Sequence, residues 1–204
     1  MSDQENKPMD KERRNLLIAT GGVGALGAAA FAAPLVSSFA PSEKAKAGGV
    51  PVEVDVPAPG ELKVEFWRGK PVWILHRTDE MTASLEKVKD QMADPDSLQP
   101  FSMPLPEYCD KTTRARPDHP NVMVMISTCT HLGCIPEPRL KAGAQPSLPD
   151  DWAGGFLCPC HGSTYDLAGR VFKNKPAPQN LDVPPYMFLS DTKIVIGKDE
   201  KGEA

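Results

Sequence analysis

The sequence predicts a mainly β head carried on an N-terminal membrane-spanning helix. Three observations predict it. A run without any charged residue fills positions 15–42. Beyond it, short stretches alternate or run apolar, and the 204 residues include 22 prolines, which favours strands and loops over a helix bundle. Two short loops then gather four of the five cysteines and two of the four histidines: "CTHLGC" at 129–134 and "CPCHGSTYD" at 158–166.

Residues 1–14 are polar and contain "DKERR". The charge-free run that follows exceeds the roughly 20 apolar residues of a membrane-spanning helix. It also exceeds the roughly 7–15 residues of a signal-peptide core. The span is placed at 15–40. It is rich in Gly and Ala, which lets helices approach closely within a membrane. Arg13 and Arg14 stand just before it, which favours a cytoplasmic N-terminus and puts the rest of a bacterial chain in the periplasm. "RRNLL" also has the form of a twin-arginine export signal. "AKAG" at 45–48 has the form of a cleavage site, but the anchor length of the run argues for retention. "PSEKAKAGGV", at 41–50, is small, polar and glycine-bearing, and reads as a flexible hinge linker.

The head occupies 51–204. "VEVDV", "LKVEFW" and "PVWILHRT" have the pattern of strands. "SLEKVKDQM", from Ser84 to Met92, has the charge spacing of one short surface helix, stopped near Pro95. "NVMVMIS" reads as a fully buried strand running into the first cysteine loop. "LDVPPYMFLSDTKIVIG" reads as a closing strand pair with its turn at Ser190 to Thr192. A net charge of −4 gives no support to nucleic-acid binding.

The spacings C-x-H and C-x-x-H supply two thiols and two imidazoles. Such a set can bind zinc tetrahedrally or hold a two-iron cluster. Each loop also has a spare cysteine, Cys134 and Cys160, and two spares that face each other in an oxidising compartment form a disulfide. The fifth cysteine, Cys109, reads as an ordinary thiol, His119 as a turn residue, His76 as a strand residue and Trp152 as a packing residue.

Both loops resemble the cluster-binding loops of Rieske iron–sulfur proteins. With the apolar run, the linker, "WRGKPVWILHRT", "DLAGR" and "PAP" at 176–178, nearly the whole chain is similar to the iron–sulfur subunit of the bacterial cytochrome bc1 complex. The resemblance implies stacked antiparallel sheets with a small cluster-binding subdomain at about 127–180. It implies one [2Fe–2S] cluster, with Cys129 and Cys158 on one iron and His131 and His161 on the other. It pairs Cys134 with Cys160, and has Ser163 and Tyr165 donate hydrogen bonds to sulfur, Tyr165 to that of Cys129. Neutral imidazoles raise such a cluster to about −150 to +300 mV, against about −400 mV with cysteine alone.

The implied activity is that of ubiquinol–cytochrome c reductase. His161, with His131, would meet ubiquinol and take an electron and a proton, and the electron would pass to cytochrome c1. Cytochrome b and cytochrome c1 would be partners in a dimeric complex of the bacterial inner membrane, with a single-pass anchor and a periplasmic head. A zinc-stapled interaction domain and a relay subunit of a soluble periplasmic oxidoreductase are the competing readings. One residue departs from the pattern: Lys175 stands where the family has glycine before the first proline.

Overall fold

The computed structural model describes residues 10–42 and 49–203. The linker reading at 41–50 therefore falls largely outside the described residues. The chain divides into a unit ending at Lys46 and a unit beginning at Ala47.

Among the described residues the first unit is one helix, α1 (Lys11–Ser38). It begins at Lys11 rather than residue 15, because the Asp10 side chain accepts from the Glu12 N–H and lets the charged residues form the first turn. It ends at Ser38 rather than residue 40, where the chain turns through Phe39. Its apolar window has a mean hydropathy of 1.8, and the helix is long and apolar enough to cross a membrane.

The second unit is built on antiparallel sheets. Strands β1 (Val52–Asp55), β8 (Tyr186–Ser190) and β9 (Lys193–Ile196) form one, in the order β1-β9-β8. Strands β2 (Leu62–Trp67), β3 (Lys70–His76) and β4 (Val122–Ile126) form a second, in chain order. Strands β5 (Glu137–Arg139), β6 (Gly155–Leu157) and β7 (Thr164–Asp166) form a third. A last short pair joins β10 (Lys198–Asp199) to β11 (Gly202–Glu203).

The second sheet is the shared middle layer. Side chains alternate across a strand with period two. Val72, Ile74, Val122, Val124 and Ile126 pack with Val54, Ile194 and Ile196 of the first sheet. Trp73, Leu75, Met123 and Met125 pack on the opposite side with Phe156, Tyr165 and Leu167. "VMVMI" is thus buried on both faces, as its unbroken apolar run predicts. The Trp73 ring stacks on Phe156 with centroids 4.4 Å apart, which joins the middle sheet to the third.

One helix, α2 (Asp79–Lys87), follows β3 and buries Leu85. It starts earlier than the charge pattern predicts because Thr78 caps it, its hydroxyl accepting from the Met81 N–H. It stops at Val88, and Lys89–Gln91 continues as a single 3-10 turn. The singled-out bystanders have structural roles. The His76 ring contacts the Pro57 carbonyl at 2.8 Å, and His119 stacks on Phe188 in the turn that opens β4. Trp152 is buried and donates to the Arg139 carbonyl. Burial pushes the Cys109 thiol up to about 11, so it stays protonated.

Three buried arginines tie the third sheet to the rest. Asp166, at the end of β7, accepts the Ala168 and Arg170 N–H groups on one oxygen and the Arg170 guanidinium on the other. Arg170 also donates to the Leu85 carbonyl of α2. Arg77 donates to the carbonyls of Thr113, Pro120 and Leu167. Arg114 donates to those of Ala168, Gly169 and Leu181. Burial lowers Arg77 and Arg114 to about 10, which still leaves both charged at neutral pH.

Removing one member of a buried ion pair strands the other charge and costs about 3–5 kcal/mol. Asp166→Asn is therefore expected to destabilise the head by about that amount. Thermal and denaturant unfolding of the purified variant checks this, and a parent-like unfolding curve would refute it.

Candidate metal centre

The two cysteine-bearing loops have the same backbone. The first joins β4 to β5, and the second joins β6 to β7. In the first, the Cys129 N–H donates to the Cys134 carbonyl at 2.7 Å, and the Gly133 N–H donates to the Cys129 carbonyl at 2.9 Å. In the second, the Cys158 N–H donates to the Ser163 carbonyl at 2.7 Å, and the Gly162 N–H donates to the Cys158 carbonyl at 3.0 Å. Gly133 and Gly162 both take positive φ, 84° and 74°, a conformation that favours glycine. Each loop is therefore a tight turn whose first residue is a cysteine and whose fifth is a glycine.

The shared turn sends the cysteines inward. Cys129 and Cys158 are 1% and 2% exposed. Burial, with the Cys129 thiol beside it, raises the Cys158 thiol above its ordinary value. His131 is half-buried and His161 exposed, and their rings meet edge to face with centroids 4.7 Å apart. The two loops, far apart in sequence, thus bring their first cysteines beside each other and their imidazoles into contact. The donor set fits either a tetrahedral zinc ion or a His-ligated [2Fe–2S] cluster.

The remaining two loop cysteines are bonded to each other. Cys134 and Cys160 form a disulfide with Cα atoms 6.7 Å apart. Their sulfurs and that of Cys158 lie within 4.8 Å of one another, but oxidation has used two of the three, so this trio is not a metal site. The disulfide instead fixes one loop against the other.

Two hydroxyls approach the same centre from β7 and its entry. Tyr165 is fully buried and donates to Cys129 Sγ at 3.2 Å. Burial raises its pKa, so the phenol keeps the proton that it donates. Its oxygen in turn accepts from the Thr130 N–H at 3.2 Å. Ser163 is equally buried, and its Oγ accepts from the Ala177 N–H at 3.0 Å. A hydroxyl has one hydrogen besides its acceptor lone pairs. Among the described hydrogen bonds that of Ser163 meets no protein acceptor, which suits a sulfide-bearing group.

Sequence reasoning singled out the proline segment but missed Thr130, which helps to hold it as a strap. Thr130 Oγ1 donates to the Gln179 carbonyl at 2.7 Å, so the segment at 174–179 touches both loops, through Thr130 and through Ser163. Its departure at Lys175 is harmless: the left-handed residue is Asn174, with φ of 58°, and Lys175 needs no glycine-like backbone. The signal for the shared turn was present all along in the matching Cys and Gly offsets of the two loops.

Comparison with known proteins identifies the family. Residues 107–187 match the family model described as "Rieske [2Fe-2S] domain", and residues 2–42 match "Ubiquitinol-cytochrome C reductase Fe-S subunit TAT signal". The "Ubiquinol-cytochrome c reductase iron-sulfur subunit" of Allochromatium vinosum is 48% identical, over 94% of this chain and 91% of its own. The protein of the same description from Bradyrhizobium diazoefficiens is 41% identical, over 89% and 92%. A solved chain titled "Hyperthermophilic respiratory Complex III" is 26% identical over 86% of this chain and 97% of that one, with a TM-score of 0.43. The family model settles the choice left open by the donor set in favour of iron and sulfide. The chain belongs to the Rieske [2Fe–2S] proteins and, within them, to the ubiquinol–cytochrome c reductase iron–sulfur subunits.

Proposed function

We propose that the chain is the electron-accepting subunit of a ubiquinol–cytochrome c reductase and works beside cytochrome b and cytochrome c1 in a dimeric complex. Cys129 and Cys158 hold one iron of its cluster, and His131 and His161 hold the other. One observation carries the reading: two loops of one backbone pattern each bury a thiol and bring their imidazole rings to centroids 4.7 Å apart. When bound, a [2Fe–2S] cluster with two imidazole ligands supplies a one-electron acceptor of raised potential.

The chain's own residues supply the rest. An imidazole with one nitrogen on a metal keeps the other for a proton. His161, the exposed ring, presents that nitrogen to the ubiquinol hydroxyl and receives its proton, with His131 beside it. Tyr165 and Ser163 donate toward sulfur, and a donor near added negative charge stabilises it. Leu132 and Ile135, 72% and 55% exposed, give the loop an apolar rim that fits a quinol site within a membrane subunit. The helix α1 anchors the chain in the bacterial inner membrane as a single pass, with Arg13 and Arg14 on the cytoplasmic side and the head in the periplasm. The linker at 41–50 lets the head travel between donor and acceptor. A flexible chain of that length spans about 17 Å on average and about 35 Å when extended.

His161→Ala is expected to abolish the cluster. Iron and sulfide analysis, with the reduced-state paramagnetic resonance signal, tests this, and full cluster content in the variant would sink the ligand assignment.

Ser163→Ala should keep the cluster and lower its midpoint potential. Loss of one hydrogen bond to a charged group, worth about 1.5–3 kcal/mol, corresponds to roughly 60–130 mV for one electron. A redox titration that returns the parent midpoint would take Ser163 out of this role.

Prolines at Ala45 and Ala47 would fix φ at both positions and stiffen the linker. Cluster content and potential should stay at parent values while quinol:cytochrome c turnover falls several-fold. Unchanged turnover would mean that the head works without moving.

A further inference from the structure

The strap over the metal loops has little to hold it in place by itself. Among the described hydrogen bonds, those that join 174–179 to the loops are the Ala177 N–H on Ser163 Oγ and the Gln179 carbonyl on Thr130 Oγ1. Both depend on where the two ends of the segment are fixed, and both ends meet at Asn180.

Asn180 is 4% exposed. Its Oδ1 accepts the Val171 N–H at 2.9 Å, which closes the neck of the segment. Its Nδ2 donates to the Asp94 carbonyl at 2.9 Å and to Ser97 Oγ at 3.2 Å. The amide thus uses its acceptor and both donors. Backbone bonds reinforce the same neck. The Ala93 N–H donates to the Val171 carbonyl, the Lys173 N–H to the Gln91 carbonyl and the Leu181 N–H to the Gly169 carbonyl. Asp94 is itself held, its two carboxylate oxygens accepting the Leu98 and Gln99 N–H groups. The segment at 91–97 is therefore a brace, and Asn180 is the side chain that bonds the brace to the neck.

We propose that Asn180 is a positioning residue for Ser163. It locks the neck at 171 and 180 to the brace, and so holds the Ala177 N–H on Ser163 Oγ. With that lone pair filled, the serine's hydrogen is directed away from the strap and toward the metal loops. A slack neck would release Ala177, free the hydroxyl to rotate, and weaken its bond to sulfur. The proposal rests on the ligand assignment given above and adds a residue that touches neither the metal nor the quinol.

The test uses the full-length holoprotein and three single variants: Asn180→Ala, the milder Ser97→Ala, and Ser163→Ala. The double variant Asn180→Ala/Ser163→Ala completes the set. Hydrogen–deuterium exchange by mass spectrometry reads the peptides that cover 172–180, and a redox titration reads the midpoint. Loss of bonds worth about 1 kcal/mol each should speed exchange at 174–179 about tenfold or more in Asn180→Ala, and less in Ser97→Ala. The midpoint should fall in both, and Ser163→Ala should mask the effect, so that the double variant titrates like Ser163→Ala alone. A parent-like midpoint despite faster exchange would reduce Asn180 to a structural role. Additive falls in the double variant would show that it acts by another route. If Asn180→Ala does not fold, parent-like exchange and midpoint in Ser97→Ala overturn the proposal. Failure of the Ser163 role would show separately, as a parent-like midpoint in Ser163→Ala itself, and failure of the ligand assignment as full cluster content in His161→Ala.

Discussion

One carboxylate, that of Asp166, organises the ground on which the metal centre stands. Both its oxygens are occupied, by two backbone N–H groups and the Arg170 guanidinium. This closes the chain at 166–170 into a tight loop whose carbonyls point outward to Arg77 and Arg114. β7 ends in this loop, so the positions of Tyr165 in the middle of the strand and of Ser163 at its entry follow from it. Burying so many charges is costly, and an apolar replacement could bury as much surface at less expense. Apolar contacts are not directional, however. Arginine forks, each gripping carbonyls from distant parts of the chain, fix orientation as well as proximity.

The parts of the fold legible in the sequence are those with a local cause. The anchor shows as an uninterrupted apolar run. β3 and β4 show because they are apolar on both faces, and they are so because each face meets a different core. Among the strands that escaped detection, β5, β6 and β7 are three residues each. No period can be read from three residues, and their pairing depends on the arginine grip and the Trp73–Phe156 stack, which are tertiary. The start of α2 was misplaced because charge spacing was weighed above the cap at Thr78.

The centre was legible for a different reason. Cysteine and histidine are few in this chain, and their clustering leaves few alternatives. What the sequence did not reveal is how the donors are supported. Thr130 meets Gln179 across 49 positions, and Asn180 meets Asp94 across 86. Those partners are polar residues of ordinary types, recognisable only once the chain has brought them together. The resemblance to a family named candidate ligands and, of the residues behind them, Ser163 and Tyr165.

The two loops share a turn but not a register for histidine. Counted from the first cysteine, the imidazole is the third residue in one loop and the fourth in the other, while the glycine is the fifth in both. A helix or turn rotates each successive side chain, so a shift of one position cannot leave the two rings alike. One ring is half-sheltered and the other faces outward. Two side chains of identical chemistry thereby become distinguishable to any molecule arriving from solution. The near-symmetry of the loops gives the centre a front and a back, and a visitor meets the same ring first each time.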